Sequence, residues 1–352
     1  MALTADAWAD GGKAATLITS AFVTRIHTEE RGGEQVATGV TWRDGGSSET
    51  RREDAAVVVL AGGCTENPRL WLNSGLPDPN GWVGRGYTDH AFDWVIGSFD
   101  SDTGNSKGAA SSARADFPGY GGLENVGLTP GLQAFSMLLS ESGIRGEYTN
   151  GRGPTGAWDG SAGRLVGPEL KEFMGEGIDR LLNILVISDD DVQAENRVTL
   201  SAFPADEHGP VAKVTFPRRQ RTARTTANRD FLAGKAAEIL RGAGAKRIYR
   251  IDWAPLLLHV QSSMRMGASE DDSVLTPEAE ARWVRRLFIA DNSALANSLG
   301  GPNPTLTAQA VATRTAEKIF QRYFEGAPWV VSEAPVVSTD DRITERVLEL
   351  GP

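Results

Sequence analysis

The segment that most constrains the fold lies near the C-terminus. It reads Leu287-Phe288-Ile289-Ala290-Asp291-Asn292-Ser293, then Gly300-Gly301-Pro302-Asn303-Pro304-Thr305. A short apolar strand ends in an acid and a loop, and a glycine pair leads into a helix that Pro304 can open, because proline suits the first helical turn. The helix is predicted from about Thr305 to Phe324, with Leu306, Ala310, Thr313, Ile319 and Phe320 falling mostly on one face. Such a strand, loop and helix N-terminus present free backbone N–H groups and the positive end of a helix dipole to a ligand.

A second unit of the same kind occurs earlier. Ala55-Ala56-Val57-Val58-Val59-Leu60 is a continuous apolar run, as expected of a strand buried on both faces of a parallel sheet. It ends in Ala61-Gly62-Gly63-Cys64, where glycines at a strand's carboxyl end admit a ligand close to the backbone. The same residues equally suit a tight turn before a packed helix. Asn67 as a cap and Pro68 at the first position predict a helix through Leu70, Trp71 and Leu72 that stops at Gly75. Upstream, residues 4–15 read as a helix end, and residues 16–26 and 36–42 as strands.

The middle of the chain has a different grammar. Residues 78–125 are rich in Gly, Pro, Asp and Ser and read mainly as loops, with 100–115 as a surface loop. Residues 183–187, 197–200 and 212–216 read as antiparallel strands, and 231–241 as an amphipathic helix closed by Gly242. The expected class is α/β plus α+β: a partial Rossmann-like domain, discontinuous in sequence, with an inserted domain built on an antiparallel sheet with helices. The boundaries expected are 1–90 and 271–325 for the discontinuous part, 91–270 for the insertion and 326–352 for a C-terminal tail.

Charge and composition narrow the partners. With 36 basic against 46 acidic residues the net charge is −10, which disfavours nucleic acid. The basic run Arg218-Arg219-Gln220-Arg221 lacks interleaved aromatics and reads as a solvated face. Cys64 is the lone cysteine, and the histidines at 27, 90, 208 and 259 show no metal-ligand spacing, so no metal centre is expected. No apolar run has the length of a membrane span and no signal peptide is evident, which makes a cytoplasmic location the default.

Two motif readings can be set aside, and one stays open. Gly151-Arg152-Gly153-Pro154-Thr155-Gly156 fits G-x-G-x-x-G, but no strand precedes it and Pro154 does not open a helix, so it reads as a loop. Ser262 and Ser263 lie near His259, yet no G-x-S-x-G elbow exists for a serine hydrolase. His27 and His208 read as surface or turn residues, and His90 as a packing residue. His259, between the apolar run 253–258 and the polar Gln261-Ser262-Ser263, suits either a core histidine or a general base.

Together these segments resemble the glucose–methanol–choline (GMC) family of FAD-dependent oxidoreductases. Residues 61–75 are similar to that family's second signature, Val83-Gly84-Arg85-Gly86-Tyr87-Thr88-Asp89-His90 to the motif that follows it, and Asn196 to Ser201 to a substrate-domain strand. His259 with Met264-Arg265-Met266-Gly267 resembles the catalytic-histidine segment. Asn303 follows His259 by 303 − 259 = 44 residues, a spacing similar to that of the family's catalytic pair. The likeness covers residues 1–325. Asn67 departs from it, standing where Ser or Thr is usual before the proline, and Ser262-Ser263 stand where Gly-Thr is common.

The resemblance implies FAD as cofactor, an alcohol or sugar substrate, His259 as general base and Asn303 as its partner. It places Ala61, Gly62, Gly63, Asp291, Asn292, Asn303, Pro304 and Thr305 at the cofactor, with Val23 near the adenine, and assigns the domains above to FAD binding and substrate binding. Absent is the N-terminal strand, G-x-G-x-x-G and helix of such proteins, so either a longer protein or a separate N-terminal FAD-binding subunit is expected to supply it. The rival expectations are a non-catalytic remnant and a lyase on the same fold. Phe135, Tyr148 and Trp158 are expected to line a substrate pocket or to fill the core.

Overall fold

In the computed structural model, the residues described are 15–45, 47, 49–139, 144–147, 167–175, 178–217, 221–251, 257–327 and 341–350. The readings at 4–14, at 151–156, at Tyr148 and Trp158, and for the Phe135 side chain lie outside them.

The chain opens with an antiparallel meander: β1 (Ala21–Arg31), β2 (Glu34–Asp44) and β3 (Thr50–Asp54), in that spatial order. β1 begins later than the expected 16–26, because Ser20 adopts a left-handed φ of 55° and its carbonyl accepts the Gly45 N–H at 2.6 Å. β3 reads Thr-Arg-Arg-Glu-Asp and is exposed throughout, so no apolar periodicity announced it. β4 (Val58–Leu60) is shorter than the run 55–60. Its pairing is parallel, with Val58 opposite Leu287 of β13 (Leu287–Ile289), as the first two motifs predict. The expectation of burial on both faces fails: Val58 and Leu60 are buried, while Val59 is 45 % exposed on the opposite face.

Helix α1 (Gly63–Asn73) follows and ends as expected, with Gly75 in a left-handed turn at φ 67°. Its start differs. Pro68 lies inside the helix rather than at its first position, and Asn67 caps nothing within it. Proline at 68 removes the donor that would meet the carbonyl four residues back. That carbonyl, of Cys64, instead accepts the Ser263 hydroxyl at 2.7 Å. The helix is tolerated because a remote side chain replaces its missing bond.

Residues 78–125 are mainly loop and turn, as expected, but strands that the reading did not foresee lie among them. They hold β5 (Ala91–Ser98), β6 (Arg114–Phe117) and β7 (Gly121–Val126). After α2 (Pro130–Leu139), β8 (Ile144–Glu147) and α3 (Gly167–Gly175) comes β9 (Leu181–Ser188). The next elements are the hairpin β10 (Arg197–Asp206) and β11 (Gly209–Thr215), α4 (Ala223–Gly242) and β12 (Arg247–Ile251). An antiparallel sheet of six strands runs β6-β7-β9-β5-β12-β8, and β5 is one of its inner strands. Strand alternation sorts its two faces. Val95, Leu123, Ile184, Val186 and Ile248 pack under Leu232, Ala236 and Leu240 of α4. Phe92, Trp94, Ile96, Leu185, Ile187 and Tyr249 form the core on the other face. Asp93 hides β5 from a reading by hydropathy; it is buried beneath α4, where Arg250 Nε donates to it at 2.7 Å.

The β10–β11 hairpin does not join this sheet. It packs on α1, where the Arg69 guanidinium meets the Asp206 carboxylate at 2.6 Å and donates through Nε to the Pro210 carbonyl at 2.9 Å. α5 (Thr305–Tyr323) follows β13, with Pro304 as its N-cap residue. The face that carries its apolar residues is open: Leu306 is 79 % and Phe320 41 % exposed. The buried residue of α5 is Thr315. The tail carries α6 (Asp341–Leu350).

Candidate active site

The parallel pair β4–β13 delivers two loops to one place. β4 runs into Gly62-Gly63 and β13 into Asp291, whose carboxylate ties the two ends together. Oδ2 accepts the Gly63 N–H and the Asn67 amide, both at 2.8 Å, while Oδ1 accepts the Ser293 N–H at 2.8 Å. Asn67 completes the bracket, accepting the Gly62 N–H at 2.9 Å and donating to Ser293 Oγ at 2.9 Å. A serine or threonine at 67 lacks the reach to make all of these bonds, which gives the departure from the family pattern a physical reason.

Two grooves open on either side of this bracket and share Ala61. One, of about 510 Å³, is lined by Val23 and Gly62 with Phe22, Val59 and Leu70. The other, of about 390 Å³, is lined by Gly63, Cys64, Asp291, Asn292 and Thr305. The first N–H of α5 with a helical partner is that of Ala308, to the Pro304 carbonyl at 2.8 Å. The N–H groups just before it meet the second groove at the positive end of the dipole. At Gly63, with φ of 80°, an added Cβ would meet no atom within 4 Å, so the backbone there is open to a ligand. These residues fit an elongated, partly anionic cofactor such as FAD. Of the residues named from the sequence, Val23, Ala61 and Gly62 line the first groove and Ala61, Gly63, Asp291, Asn292 and Thr305 the second, while Asn303 and Pro304 precede Thr305 and line neither.

His259 lies between β12 and the segment 261–266, next to Val260, which lines the second groove. Thr88 and Gln261 exchange backbone hydrogen bonds at 3.1 and 2.8 Å. Asp89 Oδ1 then accepts the N–H of His259 at 3.0 Å and of His90 at 2.8 Å. The two imidazoles meet edge to face at 5.0 Å, and Phe92 touches both. His259 Nδ1 is buried with no hydrogen-bond partner among the described residues, which leaves Nε2 as the outward nitrogen. Gln261 and Ser262 also bury side-chain polar atoms without partners there.

Asn303 joins this cluster from the other side. Its Nδ2 donates to Glu124 Oε1 at 2.8 Å. Glu124 is on β7, opposite in parity to Leu123 under α4, and therefore faces the same side as Phe92. Arg114 on β6 reaches the same Oε1 at 2.5 Å and donates to the Gly301 carbonyl at 3.1 Å. Local sequence carried no signal for Glu124 or Arg114, which meet Asn303 and Gly301 only through the antiparallel register of β6, β7 and β9.

Burial governs the titration of the site. It lowers the His259 pKa, Glu124 pulling it back up and Arg114 lowering it further, so the imidazole is neutral at pH 7. Burial pushes His90 down to about 3, with His259 adding to the shift. Asp89 is pushed up to about 7, chiefly by burial, against its two backbone hydrogen bonds. A neutral imidazole with an open nitrogen, beside an amide held in one orientation, can remove a proton from a bound hydroxyl and hold its oxygen. His27 and His208 lie elsewhere: His27 shares a hydrogen bond with Thr41 at 2.6 Å, and His208 stacks on Phe22 at 3.8 Å. Among the described residues no cluster of metal ligands occurs, and no helix is long and apolar enough to cross a membrane.

Comparison with known proteins agrees with this geometry. Two family models, both for GMC oxidoreductases, match residues 5–92 and 192–312, together more than half of the chain. A 2-methyl-1,2-propanediol dehydrogenase of Mycolicibacterium austroafricanum is 28 % identical over 93 % of this chain and 57 % of its own length. A C-glycoside 3-oxidase of Arthrobacter globiformis is 27 % identical over 87 % of this chain and 53 % of its own. A paromamine 6'-oxidase of Streptomyces fradiae is 25 % identical over 77 % and 46 %. The chain thus spans about half the length of the curated relatives it matches. Among solved structures, pyridoxine 4-oxidase from Mesorbium loti superposes with a TM-score of 0.59 at 16 % identity, over 90 % of this chain and 60 % of that one. A formate oxidase gives 0.58 at 12 % identity, over 87 % and 60 %.

Proposed function

The chain belongs to the GMC oxidoreductase family, whose members use FAD, and from that premise we propose that its site oxidises the CH–OH group of a small alcohol or sugar to a carbonyl. The observation that carries the proposal is the Asn303 amide held at 2.8 Å by Glu124, a carboxylate whose charge also acts on the half-buried imidazole of His259. Bound FAD supplies the hydride acceptor. His259 Nε2 takes the substrate hydroxyl proton, with the ring's own proton on the buried Nδ1. Asn303 donates to the substrate oxygen and holds the carbon in line for transfer. Ala61, Gly62 and Gly63 give the cofactor close backbone approach, Val23 borders its adenine end, and Thr305 at the α5 N-terminus stabilises negative charge at the ring end. Asp291 and Asn292 shape the wall between them.

The substrate class is supported by the relatives' names, which mention 2-methyl-1,2-propanediol, a C-glycoside and paromamine. We assign the remaining cofactor contacts to the portion of the family fold beyond this chain's span, whether in a longer protein or in a separate N-terminal FAD-binding subunit. The open Val59 edge and the exposed Leu306 support that completion.

The test is to load the chain with FAD, joined to a G-x-G-x-x-G unit of the family, and add 1,2-diols or hexoses without oxygen. Loss of the oxidised flavin absorbance with formation of a carbonyl product is expected. Flavin that binds yet is reduced by no alcohol or sugar would overturn the activity. Carbon–carbon bond cleavage without flavin reduction would favour a lyase.

A further inference from the structure

We propose that Glu124, anchored by Arg114, is a positioning residue that locks the amide of Asn303 in one orientation toward the bound substrate. The inference rests on the catalytic reading of Asn303 and goes beyond it, since it names the group that sets the direction of that amide.

The argument begins with what a carboxylate can do. It only accepts hydrogen bonds, so the group 2.8 Å from Glu124 Oε1 must be the amide nitrogen of Asn303 and not its oxygen. The contact therefore removes the twofold ambiguity of an asparagine amide. One N–H is held by Glu124, and the second N–H points in a fixed direction for a substrate oxygen. An unpinned Asn303 would be free to turn, because the residue is exposed and follows the Gly300–Gly301 pair, whose φ values are 79° and 100°.

Arg114 makes the clamp rigid. It binds Glu124 Oε1 at 2.5 Å, Asp116 at 2.7 Å and the Gly301 carbonyl at 3.1 Å, so strand β6, strand β7 and the Asn303 loop share one cation. Gly301 itself sits where a Cβ would approach the Gly121 Cα to 2.7 Å, which fixes the loop against β7 from its backbone side. The Glu124 side chain keeps 11 % of its surface, so the carboxylate edge is not sealed from the site.

Charge agrees with this placement. Burial lowers the proton affinity of His259, Glu124 opposes that shift and Arg114 adds to it. His90 lies at 5.0 Å from His259 and is held neutral by burial, while Asp89 binds the His259 backbone rather than its ring.

Two variants test this. Glu124→Gln replaces the acceptor-only carboxylate by an amide of nearly the same size, and Glu124→Asp keeps the carboxylate but draws it back by one methylene. The Asn303 side-chain amide is identified by loss of its signals in Asn303→Asp and followed by NMR, which needs no flavin. Both Glu124 variants are expected to shift those signals. In the flavin-loaded protein Glu124→Asp should lower the plateau rate about tenfold with little change in KM. Arg114→Lys should retain the charge and part of the rate. Unmoved Asn303 amide signals in the folded Glu124 variants would overturn the assignment. If the signals move but no alcohol reduces the flavin, the activity proposed above fails instead.

Discussion

The backbone N–H of His259 donates to Oδ1 of Asp89 at 3.0 Å across 170 residues of chain, and the same oxygen holds the N–H of His90. A single buried carboxylate therefore sets the position of both imidazoles at the site. Its folded pKa of about 7 lies above its ordinary 3.8. A raised folded pKa contributes stability at low pH that is lost as pH rises from about 4 through about 7. Asp89→Asn keeps an oxygen for both backbone donors and cannot titrate. The variant should lose this decline, so that its stability relative to the parent rises by roughly 1–3 kcal/mol between pH 5 and 8. Melting temperatures across that range check the slope, whatever the fixed effect of the buried amide.

His90 works with the opposite sign. Its folded pKa near 3 lies below the ordinary 6.5, so its contribution is present above pH 6.5 and is lost as pH falls toward 3. His90→Phe, which fills a similar volume beside Phe92, should flatten the acid side of the stability curve. Acid titration followed by circular dichroism reads this directly, and an unaltered curve would count against neutral burial of His90.

Pro68 and Ser263 form a thermodynamic pair through the Cys64 carbonyl. Ser263→Ala should destabilise the protein by about 1–3 kcal/mol, because a buried acceptor loses its donor. In a Pro68→Ala background residue 68 regains an N–H for the same carbonyl, and the Ser263→Ala penalty should shrink. A double-mutant cycle in urea measures the coupling; additivity would mean that the serine does not replace the proline's missing bond.

Under α4, Asp93 and Arg250 are both fully buried and paired. Removing Asp93 leaves Arg250 and Arg229 buried with the half-exposed Asp230 as a shared carboxylate, so Asp93→Ala should destabilise by about 3–5 kcal/mol. Replacing Asp93 and Arg250 together with apolar side chains should cost distinctly less, a comparison that equilibrium unfolding can make.

Legibility in the sequence followed the range of the interactions. β4, β13, α1 and α5 were readable because an apolar run ending in glycine or proline is a local signal, and so were the loops that follow β4 and β13. β5 and β3 were hidden: β5 by Asp93, whose partner is 157 residues away, and β3 by a wholly polar edge. Pro68 looked like a helix start because its compensating donor, Ser263, is remote. The open faces of Val59 and α5 defied periodicity, which reports that a face is apolar but not what covers it. At the site, His259 and Asn303 could be read by motif and spacing, whereas Glu124 and Arg114 are brought in by sheet register alone.

The central claim, that His259 is the base for alcohol oxidation, is tested most directly by stopped-flow reduction of the flavin-loaded protein under anaerobic conditions. His259→Ala should slow flavin reduction by a saturating alcohol by about 10²–10⁴-fold, with flavin binding retained. A reduction rate equal to that of the parent protein would contradict the account.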